Sequence, residues 1–465
     1  MNKNLFIKKY VCALEDGRSA VFLGAGMSRS AGFVDWKGLL QNVAEELGIE
    51  ITDHTNLVDL AQYYVNKTHN TSELSSTILN AFPVEANPTD NHRLLASLPI
   101  HTYWTTNYDK LIEKSLTEAS IIYDVKSQPE SLSVSKRNCN THIFKMNGDV
   151  EQPDKAILTR DQFEDYPSTH RAFLDCLSYD LINKTFLFLG LSLDDPNLRY
   201  VFKYARQLFR HNQRMHYYIT KRVQQKIGEE GNQFRSRQKE QEYFIQDLLN
   251  YGIETVLIDD YNEIADILYR IKLAYLRKTV FISGAATVFE RYSEKEMKAF
   301  VRKLSASLIQ HGFRIVNGYG LGFGNEVIAG ATMQLNAEHK PMDGNLIICP
   351  FPQGIDNVKD CWTSYRNEMI SRTGVSIFLM GNKNQDGNTI LSNGMLEEYE
   401  ISKSNNNFLI PVGATGYMAE ELWNKQKDLV DASKYPSQEE MAKLGDPSLT
   451  LDDLHDEILR ILSRL

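Results

Sequence analysis

The chain of 465 residues has no basic excess: 51 Lys and Arg stand against 60 Asp and Glu, a formal net charge of −9. Neutralising the phosphates of a nucleic acid takes a cationic surface, so the composition argues against binding driven by bulk charge and leaves only local basic pockets. Cysteine is scarce as well. Cys12, Cys139, Cys176, Cys349 and Cys361 are scattered with no C-x-x-C pair, which supports neither a zinc knuckle nor a disulfide framework and leaves reduced structural thiols. Long apolar runs are missing: stretches such as Phe186 to Leu193 fall far short of the roughly 20 residues that span a bilayer. The opening MNKNLFIKKYVCALEDGR alternates charged and apolar residues and reads as an amphipathic helix rather than a signal peptide. A soluble cytoplasmic protein is expected, with no nucleic acid, membrane or metal among its partners.

What is present is ordinary globular composition, 42% hydrophobic and 24% charged, in a chain about three times a typical domain of roughly 150 residues, so two or three cores are expected. Short β-branched and apolar runs alternate with helical patterns throughout, the mark of α/β architecture with parallel sheets. Ala20–Leu23 is the first expected strand, and Trp36, Leu40, Val43 and Leu47 after it lie on one face of an amphipathic helix. Ile100–Trp104, Thr185–Leu189 and Glu254–Ile258 read as further strands, and the charged stretch from Gln213 to Gln246 reads as helical. A second unit opens at Thr279–Ser283 and repeats the logic of strand, glycine turn and helix. It continues through a helix over Glu294–Gln310, the strands Arg314–Val316, Leu346–Ile348, Val375–Leu379 and Phe408–Val412, and a terminal helix around Leu451–Leu465. The boundary is placed near residues 275–279.

Gly24-Ala-Gly-Met-Ser-Arg-Ser-Ala-Gly32 falls where a strand should end and a helix begin. Glycines there let backbone N–H groups approach a pyrophosphate, although G-x-G after a strand is also a common tight turn. Thr105-Thr-Asn-Tyr-Asp109, Lys145-Met-Asn-Gly-Asp149 and Gly190-Leu-Ser192 follow in order. Together the four segments resemble the sirtuin family, over roughly residues 1–275. The resemblance implies a Rossmann-like domain that binds NAD as substrate and cleaves the bond between nicotinamide and ribose. It would place NAD phosphates on Gly24, Ala25 and Gly26, the nicotinamide ribose by Ser28, Asn107 and Asp109, and the adenosine side at Gly190 and Ser192. For Asn107 and Asp109, turn chemistry after a buried strand is the plain alternative.

Two departures matter. Where sirtuins carry a catalytic histidine, this chain has Asn147. An imidazole takes a proton near pH 7, whereas a carboxamide has no useful basicity, so the chain should bind NAD while being impaired in catalysis. Either an inactivating substitution in an active enzyme or a natural pseudoenzyme would account for it. The paired cysteines of the zinc module of protein-deacylating sirtuins are missing, which favours water over an acyl peptide as acceptor.

In the second unit, Ser283-Gly284-Ala285, Gly318 to Gly324, Arg366-Asn-Glu-Met369, Arg372-Thr-Gly374 and Gly394-Met-Leu-Glu-Glu398 resemble the SLOG superfamily, Rossmann-like domains related to the LOG nucleotide phosphoribohydrolases. The full P-G-G-x-G-T-x-x-E of the hydrolases is replaced by Met380-Gly-Asn-Lys383 and a looser loop, which favours a sensor of a nucleotide-derived ligand. Arginine can bind phosphate bidentately, lysine adds a point charge and glutamate can take two ribose hydroxyls. The expected signal site is therefore Ser283, Gly284, Gly320, Arg366, Arg372, Lys383 and Glu398, with surface ion pairing as the alternative for either arginine.

The order of the two domains, with His101 to Glu113 and Pro411-Val-Gly-Ala-Thr-Gly-Tyr417 in place, resembles the NAD-degrading effectors of bacterial Thoeris anti-phage defence. That resemblance implies two Rossmann-like doubly wound parallel-sheet domains, with helical insertions in the first: a sirtuin-like NADase over 1–275 and a SLOG domain over 276–465. It also implies activation by a cyclic ADP-ribose isomer made by a TIR-domain partner, and a homo-oligomer, a tetramer that assembles further on activation, as a filament. The competing expectations are a non-catalytic nucleotide-sensing scaffold and a LOG-like nucleotide phosphoribohydrolase.

Overall fold

Strand β1 (Ser19–Leu23) is buried along its whole length, as a strand covered on both faces of a parallel sheet must be. The computed structural model describes residues 1–52, 55–83, 85–191, 202, 214–320, 322–352, 358–385 and 387–465. Among these, β1 is joined by β2 (Thr102–Thr105), β3 (Tyr123–Lys126), β4 (Thr141–Lys145), β5 (Thr185–Leu189), β6 (His216–Lys221) and β7 (Ile253–Ile258). The seven-stranded sheet runs β3-β4-β2-β1-β5-β6-β7, every neighbouring pair parallel. The chain leaves β1 for β2 on one side and later returns to β5 on the other. The carboxyl ends of β1 and β5 therefore flank a topological switch point, where open α/β sheets bind ligands.

Helical insertions between β1 and β2 include Gln41–Leu47, Leu57–Thr68, Ser72–Ala81 and Asp90–Ala96. Leu40, Leu60, Tyr64 and Ile78 of these insertions share a core with Tyr108 and Leu111 after β2 and Val150 and Leu158 after β4. The helix expected through Trp36 and Leu47 is two short ones, Trp36–Leu39 and Gln41–Leu47, although Leu40 and Val43 do face inward. A second difference is larger. The stretch expected to be helical from Gln213 holds strand β6 before the helix Gly231–Asn250 begins. His216-Tyr-Tyr-Ile-Thr is an aromatic and β-branched run that suits a sheet, and the charges on either side of it hid that pattern.

The chain divides into two compact units, Met1–Lys272 and Leu273–Leu465. In the second, β8 (Thr279–Ala285), β9 (Arg314–Asn317), β10 (Leu346–Ile348), β11 (Val375–Met380) and, after the antiparallel hairpin β12 (Asn382–Gln385) and β13 (Asn388–Leu391), β14 (Phe408–Pro411) give a parallel sheet. Its order is β10-β9-β8-β11-β14, with the switch point between β8 and β11. The helix Glu294–Gln310 starts at a capping box formed by Ser293 and Glu296, which satisfies orphan N–H groups of its first turn. Its Met297, Val301, Leu304 and Leu308 are buried in the core against Val280 and Ile315. The protein is thus an α/β chain of two Rossmann-like doubly wound sheets. Among the described residues no helix is long and apolar enough to cross a membrane.

Candidate functional site

The carboxyl ends of β1 and β5 approach closely because neither turn carries side chains there. A Cβ on Gly24 would stand 2.5 Å from the Gly190 carbonyl oxygen, and one on Gly26 2.9 Å from the Gly190 Cα. The N–H groups of Gly24 and Gly26 donate to the carbonyls of Leu189 and Gly190, each at 2.9 Å. These two donors, expected to face a phosphate, instead lock the turn to β5.

Beside the turn lies a cavity of about 2170 Å³ lined by Gly24, Ala25, Gly26, Ser28, Asn107, Asp109, Asn147 and Gly190. It exceeds the roughly 300–1,000 Å³ of a small-ligand pocket. Of the residues singled out in the sequence for this site, only Ser192 is not among them, and it lies outside the described residues.

Three of the side chains form one chain of hydrogen bonds. The Asn107 amide donates to Ser28 Oγ at 3.0 Å, and Ser28 Oγ donates to Asp109 Oδ2 at 2.7 Å. Asp109 Oδ1 accepts from the Leu111 N–H at 3.0 Å, and the Asn107 N–H donates to Thr105 Oγ1 at 2.9 Å. With one amide N–H on Ser28, Asn107 keeps its carbonyl oxygen as an acceptor for a water or a ligand hydroxyl. Asn147 follows β4. Its backbone carbonyl accepts from the Ile157 N–H at 2.9 Å, and among the described residues its carboxamide has no hydrogen-bond partner, so it is available to the cavity it lines.

Two residues near this group escaped the sequence reading. His92, on the helix Asp90–Ala96, is buried and shares a 2.7 Å hydrogen bond with Thr89. Burial pulls its pKa down to about 4 against the opposing pull of the Asp109 carboxylate, so the ring is neutral at pH 7. Lys145, at the end of β4, is almost wholly buried and stands behind the loop that carries Asn107. A lone histidine on a helix leaves no signal in one sequence, whereas Lys145 was visible as the first residue of K-M-N-G-D. Among the described residues no group of three or more His, Cys, Asp or Glu is placed to hold a metal ion.

In the second unit the switch point brings together Ser283, Arg366 and Glu398. Ser283 Oγ donates to Glu398 Oε2 at 2.6 Å, and Arg366 Nε stands 3.5 Å from Glu398 Oε1 without a hydrogen bond of its own. Burial raises Glu398 above the usual carboxylate range although Ser283 and Arg366 pull it down. Arg366 also donates to Glu397 at 2.7 Å and lies over the Phe351 ring, 4.9 Å from its centroid. A Cβ on Gly320 would come within 2.5 Å of the Gly284 carbonyl, so these two turns also approach as glycine permits. Lys383 lies on β12, whose first residue, Asn382, accepts from the N–H groups of Thr287 and Val288 at 2.8 and 3.0 Å. That ties the hairpin to the loop after β8. Arg372 is not brought into this group: it is half-exposed at the far end of the helix Val358–Ser371 and pairs with Glu368 at 2.5 Å, one turn back. Glu397, the nearest partner of Arg366, was not singled out in the sequence.

Two switch-point sites stand on two parallel sheets, and the family models that match them make the chain a SIR2-like domain followed by a SLOG domain. The SIR2-like domain family matches residues 101–248, and the Sir2- and TIR-associating SLOG family matches residues 263–465. NAD(+) hydrolase ThsA of Bacillus cereus (strain MSX-D12) is 40% identical over 99% of this chain and 98% of its own. The protein of the same name from Acinetobacter baumannii (strain 532279) is 39% identical over 100% and 98%, and that from Enterococcus faecium is 39% identical over 91% and 90%. The chain belongs to the ThsA family.

Proposed function

We propose that residues 1–275 form an NAD+ hydrolase domain that converts NAD+ to ADP-ribose and nicotinamide. Residues 276–465 form a SLOG domain that switches it on when a cyclic ADP-ribose isomer binds. The observation that carries this reading is the convergence of Ser28, Asn107, Asp109 and Asn147 on one switch-point cavity, in a chain whose relatives are named NAD(+) hydrolases. In hydrolysis, water attacks the anomeric carbon of the nicotinamide ribose. The C–N bond breaks with its electron pair going to nicotinamide, and the water gives up a proton. Asn107 Oδ1 orients the water, and the negative charge of Asp109, relayed through Ser28, favours the oxocarbenium-like transition state. The turn of Gly24, Ala25 and Gly26 borders the phosphates by its lack of side-chain bulk, its Gly24 and Gly26 N–H groups being held by Leu189 and Gly190, and Gly190 and Ser192 take the adenosine side.

The proton needs an acceptor, and Asn147 is not one. A correctly placed base contributes about 10²–10⁴-fold, so the chain as it stands binds NAD and turns it over slowly. Asn147→His, in the presence of a panel of cyclic ADP-ribose isomers, is expected to raise nicotinamide release by at least about 100-fold. No gain over the unsubstituted chain would refute the hydrolase reading and favour the alternative that Asn147 supports, a nucleotide-sensing scaffold that assembles without catalysis.

In the signal site, Arg366 and Lys383 meet the phosphates, Glu398 takes ribose hydroxyls, and the turns at Ser283, Gly284 and Gly320 close round them. Arg372, remote from that group, contributes charge alone. The protein acts in the cytoplasm as a homo-oligomeric effector of anti-phage defence, tetrameric and polymerising into filaments on activation. It depletes NAD when a TIR-domain partner makes the signal.

A further inference from the structure

Behind the loop that carries Asn107 and Asp109 lies a charge network that the proposed reaction does not use. Lys145 has a side chain only 1% exposed. Its Nζ donates to the backbone carbonyls of Tyr108 at 3.1 Å and Asp109 at 2.6 Å, and to Glu113 Oε1 at 3.1 Å. It also pairs with Asp149 Oδ2 at 2.8 Å. Lys110 closes the network, reaching Asp149 at 2.9 Å and Glu151 at 2.8 Å. Burial works against the charge on Lys145, but Glu113, Asp149 and Asp109 outweigh it and hold its pKa above the ordinary lysine value. The ammonium is therefore a permanent fixture.

A buried cation could be neutralised by carboxylates alone. Here two of its contacts are main-chain oxygens, those of Tyr108 and Asp109, which flank the turn where Asn107 and Asp109 present their side chains. Its own strand leads directly into Met146-Asn147-Gly148, and Asp149, at the end of that turn, returns to the same nitrogen. One ammonium thus holds the loop after β2 and the loop after β4 at a common point, and these loops carry three of the four side chains assembled at the nicotinamide end of the cavity.

We propose that Lys145 is a positioning residue for the nicotinamide end of the NAD site, setting where Asn107, Asp109 and residue 147 stand without touching the ligand itself. This rests on the NAD reading above, and it predicts an effect confined to one end of the dinucleotide. Misplacing the loop disturbs contacts to the nicotinamide ribose, whereas the glycine turns at Gly24 and Gly190 are tied to each other at the ends of β1 and β5 and stay in place.

The test compares NAD with ADP, which shares the phosphate and adenosine end and lacks both nicotinamide and its ribose. Titration calorimetry on the full chain is expected to show Lys145→Met losing at least about tenfold in NAD affinity, the loss expected for a few misplaced hydrogen bonds, with ADP affinity within about twofold of the parent. Retained ADP binding doubles as proof of folding. If the single variant fails to fold because Glu113 and Asp149 are left to share Lys110 alone, the double variant Lys145→Met with Glu113→Gln removes the excess charge and is read in the same way. Unchanged affinity for both ligands, or an equal loss for both, overturns the positioning role alone. A parent chain that binds neither ligand overturns the NAD reading and this role with it.

Discussion

Gly190 stands at a φ of +65°, with the Met27 nitrogen 2.5 Å from where a Cβ would lie. A left-handed L-residue costs about 1–2 kcal/mol and a packed overlap about 1–3 kcal/mol. Gly190→Ala is therefore expected to lower stability by about 2–5 kcal/mol in denaturant melts and to weaken NAD binding together with it, because Gly190 lines the cavity. A variant as stable as the parent would show that the backbone can relax here. The same scale separates the two arginines proposed for the signal site. Arg366 is buried among Glu397, Glu398 and Phe351 with one N–H unpaired, while Arg372 spends its charge on an exposed pair of the kind worth little. The SLOG resemblance pointed to both arginines for the site, and only burial tells them apart.

At the scale of elements, β5 and β6 are joined through a side chain as well as by their ladder. His216, at the start of β6, accepts at Nδ1 from the Phe186 N–H at 3.2 Å, so the ring must be neutral, with its proton on Nε2. Burial, helped by Arg214, lowers its pKa to about 3. The unfolded chain takes up that proton near the ordinary histidine value of about 6.5. Its contribution is therefore complete above that pH and is lost as the pH falls from 6.5 toward 3. About 2 kcal/mol should be gone by pH 5. Denaturant melts from pH 7 to pH 5 should fall more steeply for the parent than for His216→Asn, which keeps an acceptor for Phe186 and does not titrate. Parallel curves would mean that His216 is not the group responsible.

At the scale of the whole molecule, a net charge of −9 offers no long-range attraction to anionic nucleotides, so recognition depends on glycine turns and a few buried cations. Two units, each with its own switch point, supply the two sites that allostery requires. A ligand shifts an equilibrium only by its preference for one state. A cyclic ADP-ribose isomer at 100 times its dissociation constant should stabilise the native protein by about 2.7 kcal/mol and accelerate nicotinamide release by the Asn147→His chain. Adding Arg366→Ala should remove both responses while calorimetric NAD binding persists. Equal activation with and without Arg366→Ala would count against the assignment of that arginine.

Local pattern along the chain was enough for the α/β alternation, four strands of the first sheet and all five of the second, the glycine turns and the order of the motifs, including the asparagine where sirtuins carry a histidine. These properties are local: hydrophobic period, backbone freedom and side-chain type are written within a few residues of one another. No strand was read at β3, β4 or the hairpin of β12 and β13; β6 was read as helix because its short aromatic run sits between charged stretches, and one helix was read through Leu40 where there are two. The tertiary structure alone decided which strand ends meet at each switch point. It also decided that two glycine N–H groups bind β5, that Arg366 rather than Arg372 faces Glu398, and that Lys145 reaches across from β4 to the loop after β2. Each of these joins residues tens to more than a hundred positions apart, through sheet order, register and the burial of charge, and no spacing along the chain encodes them.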